Sequence, residues 1–240
     1  MKDFMKIVSW NCQYGFDNGK PKALFEAFSD ADIFVIQECR RNEIDAFGKD
    51  WKYRNWYGDD LDEESKLGIA VFSKAFKFEF TDQFNRNFRY VVPYRVYVDK
   101  KSFILLAVWT KSADRGDFAY DDNVTKAVSH YSDMLKGDAI IIGDFNTFAK
   151  NDNDYLRILE TKMKPMINCA KGTLFWDKFT YYHNEKFRYG IDDFCFMSES
   201  LSANQKITFE IKDAVDKNGG DSTSWHGLSD HWPISVEFTF

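Results

Sequence analysis

The chain has 240 residues, of which 44% are hydrophobic and 29% charged, a balance that excludes a disordered chain, a coiled coil and a collagen-like repeat. Its length predicts a single domain over residues 1–240, large enough to bury a core without disulfides or a structural metal. The 38 acidic residues outnumber the 32 basic ones, and the formal net charge of -6 excludes a nucleic-acid binder that depends on overall basicity.

Short apolar runs, many of them rich in Val, Ile and Phe, predict β-strands. In chain order these strands are Lys6–Trp10, Asp32–Gln37, Gly68–Ser73, Tyr90–Val98, Phe103–Trp109, Ala139–Gly143, Ile191–Met197 and Pro233–Phe240. Two polar segments, Tyr53–Lys66 and Lys212–Ser229, are predicted to be loops.

Amphipathic segments between the strands predict helices at Pro21–Ser29, Asp121–Lys136 and Asp152–Lys162. The alternation of strands and helices indicates an α/β fold. Between Gly68 and Trp109 strands follow one another without a helix, which indicates antiparallel pairs and therefore mixed sheets.

The sequence also bears on the compartment of the protein. It contains no run of 18 apolar residues that would predict a membrane span, and charges interrupt the apolar runs of residues 1–10, unlike a secretory signal. Cys12, Cys39, Cys169 and Cys195 show no CxxC spacing and are expected to be reduced thiols in a cytoplasmic protein. No obligate protein partner is indicated.

Polar residues stand at the ends of several predicted strands, where strand stability does not call for them. In chain order they are Asn11, Glu38, Asp144 with Asn146, Asp192, and Asp230 with His231. Functional groups of α/β sheets gather at the carboxyl ends of strands. If the last strand runs antiparallel to its neighbour, its start lies on the same rim, and all these residues can face one cleft.

Four carboxylates in one cleft repel one another, and a divalent cation would relieve that repulsion. Oxygen ligands favour Mg²⁺, Mn²⁺ or Ca²⁺ over zinc, and Mg²⁺ usually takes only one or two protein carboxylates. The remaining carboxylates could orient or deprotonate a water, or hold His231 in one tautomer. The amides of Asn11 and Asn146 can donate to phosphate oxygens. Such a set suits hydrolysis of a phosphate ester.

Five sequence blocks, from Ser9 to Ile234, resemble in content and order those of the endonuclease/exonuclease/phosphatase superfamily. They are Ser9-Trp10-Asn11, Gln37-Glu38-Cys39, Gly143-Asp144-Phe145-Asn146-Thr147, Gly190-Ile191-Asp192-Asp193-Phe194 and Ser229-Asp230-His231-Trp232-Pro233-Ile234. The resemblance implies an α/β fold of the DNase I-like kind, a four-layer α/β/β/α sandwich of two mixed sheets flanked by helices. It also implies a phosphoesterase that depends on Mg²⁺, with Mn²⁺ as an alternative cation.

The resemblance implies a metal site and a set of phosphate contacts by motif position. Glu38 is implied as the main metal ligand, with Asn11 on metal-bound water or phosphate and Asp230 helping to hold the metal region. Asn146 and Lys111 are further candidates for phosphate contact.

The resemblance also implies the reacting groups. Asp144 would position or deprotonate the attacking water, assisted by Asn146. His231 would contact the scissile phosphate and pair with Asp192. Asp192 and Asp193 are adjacent and face opposite ways along a strand, and we expect Asp192 to be the inward one.

The chain departs from the superfamily pattern at three places. Gln13 stands where some nucleases carry an Asp, which leaves a second metal position without that ligand. Trp109 stands where DNase I-like and phosphatase members often carry a His, and Lys111 or Thr110 are the candidates to replace it. Phe148-Ala149 in place of an Arg argues against the inositol-phosphate branch.

Three functions remain open from the sequence. The first is a metal-dependent nuclease that acts on DNA. The second, favoured by the acidic net charge, is a phosphomonoesterase or small-molecule phosphodiesterase on the same fold, because a small substrate needs no basic track. The third is a catalytically silent binding module, suggested by the departures from the pattern at Gln13 and Trp109.

Aromatic residues near these blocks allow two interpretations. Tyr181 is expected in the core, with a wall of the site as the alternative. Trp51, Trp56 and Tyr57 are expected to be buried under a loop, with stacking on bases as the alternative.

Overall fold

The computed structural model describes residues 4–43, 51–58, 67–88, 90–110, 120–146, 160–183, 186–187, 191–203, 206–214, 225 and 227–239. In chain order its elements are β1 (Phe4–Asn11), α1 (Lys20–Ala27), β2 (Ile33–Arg40), β3 (Tyr53–Gly58), β4 (Leu67–Ser73), β5 (Phe78–Phe80), β6 (Val91–Val98), β7 (Lys101–Trp109), α2 (Tyr120–His130), a 3-10 helix (Met134–Lys136), β8 (Ala139–Asp144), β9 (Ile167–Asn168), β10 (Tyr182–His183), β11 (Lys186–Phe187), β12 (Asp193–Met197), α3 (Glu199–Ser202), β13 (Thr208–Ile211) and β14 (Ile234–Thr239).

The strands form two six-stranded sheets, with the orders β13-β14-β1-β2-β4-β3 and β5-β6-β7-β8-β12-β9, and a separate β10-β11 hairpin. Each large sheet has one parallel pair, β1 with β2 and β7 with β8, and its other neighbours are antiparallel. The sheets face each other through β1 and β2 on one side and β7 and β8 on the other. The prediction of two mixed sheets is confirmed.

Helices cover the outer faces of the two sheets and complete the four layers. Helix α1 starts with a Pro in its first turn and buries Leu24, while its Phe25 ring lies 5.2 Å from the ring of Phe34 in β2. Helix α2 packs against β6 and buries Val124 and Ala127. The central strands are therefore covered on both faces, which explains why β8 reads AIIIGD without polar alternation and is buried at every position.

Several predicted boundaries need correction. The predicted loop over Tyr53–Lys66 is wrong for Tyr53–Gly58, which forms β3 and pairs with β4 along its whole length, because its aromatic side chains pack on the core. Residues 59–66 lie outside the described residues. The second predicted helix ends at His130 and continues as the 3-10 turn. Strand β13 was not predicted, and residues 152–159 of the third predicted helix are also outside the described residues.

Strand directions bring the polar strand ends to one rim. Asn11 ends β1, Glu38 lies near the end of β2, which is parallel to β1, and Asp144 ends β8. Strand β14 is antiparallel to β1, so its start, which follows His231, lies beside the end of β1. Strand β12 is antiparallel to β8 and starts at Asp193, directly opposite Asp144. Among the described helices, none is long and apolar enough to cross a membrane.

Candidate active site

Asp144 is the centre of the site, at the last position of β8 and fully buried. Its Oδ1 atom accepts a hydrogen bond from the backbone N–H of Asn146 at 2.7 Å. Its Oδ2 atom accepts from Nδ2 of Asn146 at 2.7 Å and from Nδ2 of Asn11 at 2.8 Å. A carboxylate offers about four acceptor positions, so three donors hold it firmly and leave capacity for one more.

A tight turn after β8 creates this arrangement. Gly143 has a φ of 151°, and a Cβ there would lie 1.9 Å from the carbonyl oxygen of Val108. Asn146 has a φ of 47°, in the left-handed region that Asn tolerates better than most residues. Its Nδ2 atom also donates to the carbonyl of Thr110 at 2.8 Å, which ties the turn to the end of β7.

His231 pairs with Asp193, and the predicted pairing with Asp192 is wrong. Nδ1 of His231 lies 2.9 Å from Oδ2 of Asp193, and both side chains are buried. The reason is register: Asp193 is the direct partner of Asp144, and directly opposed residues share a face of the sheet. Asp192 lies one residue before β12 and outside this paired register.

Thr180 positions both adjacent acids and was not identified from the sequence. Its Oγ1 atom accepts hydrogen bonds from the backbone N–H of Asp192 at 2.8 Å and of Asp193 at 3.0 Å. The next residue, Tyr181, bridges to His231, and their rings lie 4.7 Å apart. Tyr181 is only half-buried, so the interpretation as a wall of the site is the correct one.

The segment before β14 is locked onto the end of β1. The hydroxyl of Ser229 donates to the carbonyl of Asn11 at 2.7 Å and accepts from the backbone N–H of His231 at 3.1 Å. The buried indole of Trp10 donates from Nε1 to the carbonyl of His231 at 2.9 Å. These bonds explain why a Ser precedes the Asp230-His231 pair and why a Trp precedes Asn11.

Glu38 sits on a β-bulge near the end of β2. The register with β4 shifts between Gln37 and Cys39, and Glu38 itself has a φ of 58°. Such bulges redirect a side chain at the edge of a site, and a left-handed non-glycine residue there costs about 1–3 kcal/mol. Oε1 of Glu38 accepts from Nδ2 of Asn11 at 3.2 Å, and Oε2 accepts from the backbone N–H of Tyr14 at 2.9 Å.

The loop after β1 has an unusual backbone held by Lys20. Gln13, Tyr14 and Gly15 all have positive φ, at 48°, 57° and 123°. Nζ of Lys20 donates to the carbonyls of Cys12, Gln13 and Gly15 at 2.5, 2.8 and 3.0 Å. This clamp presents the N–H of Tyr14 to Glu38, and no simple sequence motif signals it.

The site is dominated by buried charge. Burial raises the pKa of Asp144 to about 7; His231 opposes that shift and Asp193 adds to it. Burial alone would lower the pKa of His231, but the carboxylates of Asp193 and Asp144 outweigh it and raise that pKa well above 6.5. Burial also raises the pKa of Asp230, opposed by His231 and increased by Glu38. Protonated His231 can therefore donate from both ring nitrogens.

Two groups of residues are suited to a cation. Ligand atoms of Asp144, Asp193 and His231 all lie within 4.8 Å of one another, and the buried Oδ1 of Asp193 has no hydrogen-bond partner among the described residues. The second group is Glu38 with Asp230, and besides burial the charge of Glu38 raises the pKa of the Asp230 carboxyl. Both groups offer carboxylate oxygens, which are the ligands that hard divalent cations prefer, so these carboxylates fit a metal ion, whereas protonated His231 has no lone pair for one.

The remaining predicted residues have mixed outcomes. Lys111 lies outside the described residues. Thr110 is buried and its hydroxyl donates to the carbonyl of Phe145, so it supports the turn rather than facing a phosphate. Trp109 is buried, and its ring lies 4.6 Å from that of Tyr90. The structure brings Asn11, Glu38, Asp144, Asn146 and His231 together through the contacts above.

Three solved structures illustrate what the fold resembles. TDP2 from D. rerio in complex with a single-strand DNA product has a TM-score of 0.72 at 14% identity, with 100% of each chain covered. The 3′ phosphatase NExo from Neisseria bound to a product DNA hairpin has a TM-score of 0.62 at 17% identity, over 98% of this chain and 100% of that one. The human nocturnin catalytic domain with bound sulfate has a TM-score of 0.65 at 13% identity, over 99% and 94%. These likenesses establish the DNase I-like fold.

Sequence comparison gives the family. No curated protein matches the sequence significantly. The model of the Endonuclease/Exonuclease/phosphatase family matches residues 8–231, which include every residue of the site described above. The chain therefore belongs to the endonuclease/exonuclease/phosphatase family, and it is a metal-dependent hydrolase of phosphate esters.

Proposed function

We propose that the protein is a Mg²⁺-dependent phosphodiesterase, a nuclease that acts on DNA. The observation that carries the proposal is the 2.9 Å pair of His231 with Asp193 beside the carboxylate of Asp144. A cationic imidazole next to a firmly held carboxylate can bind a phosphate oxygen on one side and orient a water on the other. DNA as substrate is supported by the DNA products bound to TDP2 and NExo.

Glu38, Asn11 and Asp230 would hold the cation, with Mn²⁺ as the alternative to Mg²⁺. Asp230 and Glu38 supply carboxylate oxygens, and Oδ1 of Asn11 is an amide oxygen that now accepts the N–H of Gln13 at 3.0 Å. When bound, the cation would supply Lewis-acid polarisation of a phosphate oxygen and would neutralise the repulsion between the carboxylates.

The reacting groups follow from the hydrogen bonds of the site. Asp144, oriented by Asn146 and Asn11, accepts the proton of the attacking water as the new oxygen–phosphorus bond forms and the ester bond breaks, and the departing ester oxygen takes a proton from solvent water. Nε2 of His231, which lies 4.0 Å from Oδ2 of Asp144, donates to a non-bridging oxygen of the scissile phosphate. Asp193 holds the opposite ring nitrogen and stabilises the imidazolium.

A nuclease assay tests the proposal. Purified protein with Mg²⁺ and end-labelled DNA is expected to release products, and EDTA is expected to abolish cleavage until Mg²⁺ or Mn²⁺ is restored. His231→Ala should lower the rate by about a thousandfold. His130→Ala, on the exposed side of α2, is the matched control and should leave the rate unchanged. The proposal is wrong if no cleavage occurs, or if cleavage survives both EDTA and His231→Ala.

A phosphomonoesterase or small-molecule phosphodiesterase is the second candidate. The net charge of -6 favours it, because a small ester needs no extended basic surface. A panel of nucleotides, phosphorylated sugars and DNA under the same conditions separates the two. Turnover of the small esters with no cleavage of polymer would replace the first proposal by the second.

A further inference from the structure

An aromatic cavity lies beside the proposed metal site, between the edge strands of the two sheets. Its volume is about 250 Å³. Besides Gly58, the residues that line it are Arg41, Trp56, Tyr57, Phe80, Phe84 and Arg86. We infer that this cavity, here called the aromatic cavity, binds an unpaired base of the nucleic-acid substrate together with its phosphate. The inference rests on the proposed function, because it assigns one nucleotide of the phosphodiester substrate to a second site.

The floor of the aromatic cavity is built by Trp56. A Cβ on Gly58 would lie 2.2 Å from the Trp56 ring, and a Cβ on Gly68, its partner in β4, would lie 2.8 Å from the same ring. The indole therefore occupies the space that side chains at these two positions would fill. Its Nε1 atom donates to the carbonyl of Cys39 at 2.7 Å, and the Arg41 guanidinium lies 5.9 Å from its ring centre.

The walls of the aromatic cavity are rings held at ordered angles. Phe84 lies edge-on to Tyr57 with 4.8 Å between ring centres. Phe80 and Phe84 are parallel to within 8°, at 5.2 Å, and Phe80 is 37% exposed. The Phe80 ring also stacks on Tyr94, with 5.0 Å between ring centres, so Phe80 supports the cavity wall from behind. The partly exposed rings of Tyr57 and Phe84 offer the stacking surface to a planar ligand, and every nucleobase has such a face.

The charged residues at the aromatic cavity favour a nucleotide over an apolar ligand. Arg41 and Arg86 are both exposed at the aromatic cavity, and no acidic residue is among the described residues that line it, although the chain carries a net charge of -6. An apolar peptide would gain nothing from two guanidinium groups. A nucleotide supplies a ring for the aromatic walls and a phosphate for the arginines.

The aromatic cavity lies close enough to Glu38 for one substrate strand to reach both. Cys39 pairs with Gly68, which pairs in turn with Gly58, so the cavity is two strand spacings from the bulge, about 10 Å. Arg41 follows Glu38 by three residues on the same chain segment. A nucleic-acid strand whose scissile phosphate lies at Glu38 can therefore place a neighbouring base in the aromatic cavity.

The test measures binding separately from turnover. Fluorescence anisotropy in EDTA compares a labelled oligothymidylate with a labelled abasic oligomer of the same length. Wild-type protein is expected to bind the base-bearing strand roughly tenfold more tightly. Phe84→Ala and Phe80→Ser are expected to remove that preference. Phe4→Ser, with an aromatic ring 44% exposed at the start of β1, is the matched control and should preserve it.

The arginines are tested by salt dependence. Arg41→Ala and Arg86→Ala are expected to weaken binding of both oligomers and to lower the slope of log Kd against log salt, by about one unit per phosphate contact. Lys136→Ala, at the opposite end of β8, is the charge control.

Each outcome has a separate consequence. Equal binding of the two oligomers by wild type, or a preference that survives in folded Phe84→Ala and Phe80→Ser, overturns the inference. If the aromatic variants fail to fold, an unchanged salt slope in the two arginine variants overturns it. Binding is measured without Mg²⁺, so the two tests are independent. A negative binding result does not contradict the proposed nuclease activity, and a negative nuclease assay does not change the binding result.

Discussion

Asp193 lies directly opposite Asp144 in the antiparallel pair of β12 and β8, so both carboxylates leave their strands on the same face. Oδ2 of Asp193 is 2.9 Å from Nδ1 of His231, while Oδ2 of Asp144 is 4.0 Å from Nε2 on the other edge of the same ring. One imidazole is thus held between two carboxylates from neighbouring strands, and its Nε2 edge is directed toward Asp144.

Replacing Asp193 tests which acid holds the histidine. Asp193→Asn keeps the shape of the side chain but removes the charge that orients and stabilises the His231 ring, and we expect kcat to fall by about a thousandfold. Asp192→Asn, one residue away, should retain most of the activity because Asp193 is the residue that holds the His231 ring. Steady-state cleavage rates of the two variants give the comparison. Equal losses of activity would contradict the conclusion that Asp193 holds His231.

Thr180 is expected to contribute to both stability and activity. Thr180→Val leaves the buried N–H groups of Asp192 and Asp193 without their acceptor, which should lower the free energy of unfolding by about 2–4 kcal/mol. Thr180→Ser keeps the hydroxyl and should lose much less. Urea denaturation measures both variants, and a valine variant as stable as the serine variant would show that Thr180 is replaceable.

Gly143 is expected to tolerate no side chain. Gly143→Ala places a Cβ against the carbonyl of Val108 at a φ that disfavours side chains, and we expect a loss of about 3 kcal/mol or more. Gly137→Ala is the matched control, since nothing lies within 4 Å of its Cβ position. Thermal unfolding of the two variants gives the comparison. Similar melting temperatures would mean that the turn after β8 can relax.

The thiols are expected to be unreactive in the folded protein. All four cysteines are buried, and burial raises the pKa of Cys12, Cys39 and Cys195 well above the usual value. A raised pKa leaves less thiolate at any given pH, so a disulfide reagent at about pH 8 should titrate no thiol until denaturant is added. Denatured protein should then release 4 thiols. Rapid reaction of a native thiol would show that one of these sites opens.

Local patterns were enough for much of the fold. The runs that became β2, β7 and β8 are long and apolar because both of their faces are covered, and such runs are visible without tertiary information. Strand β3 was missed, since two adjacent polar residues, Arg54 and Asn55, interrupt its aromatic residues and acidic residues follow it. Its identity depends on pairing with β4, which lies later in the chain.

The sequence by itself determined that Asn11, Glu38, Asp144 and His231 stand beside strand ends, because the end of an apolar run is a local property. Tertiary structure decided that Asp193 rather than Asp192 meets the histidine, because the facing side of a strand residue depends on its register with another strand. It also decided that Trp56 lines a cavity, since two glycines on different strands leave room for its ring.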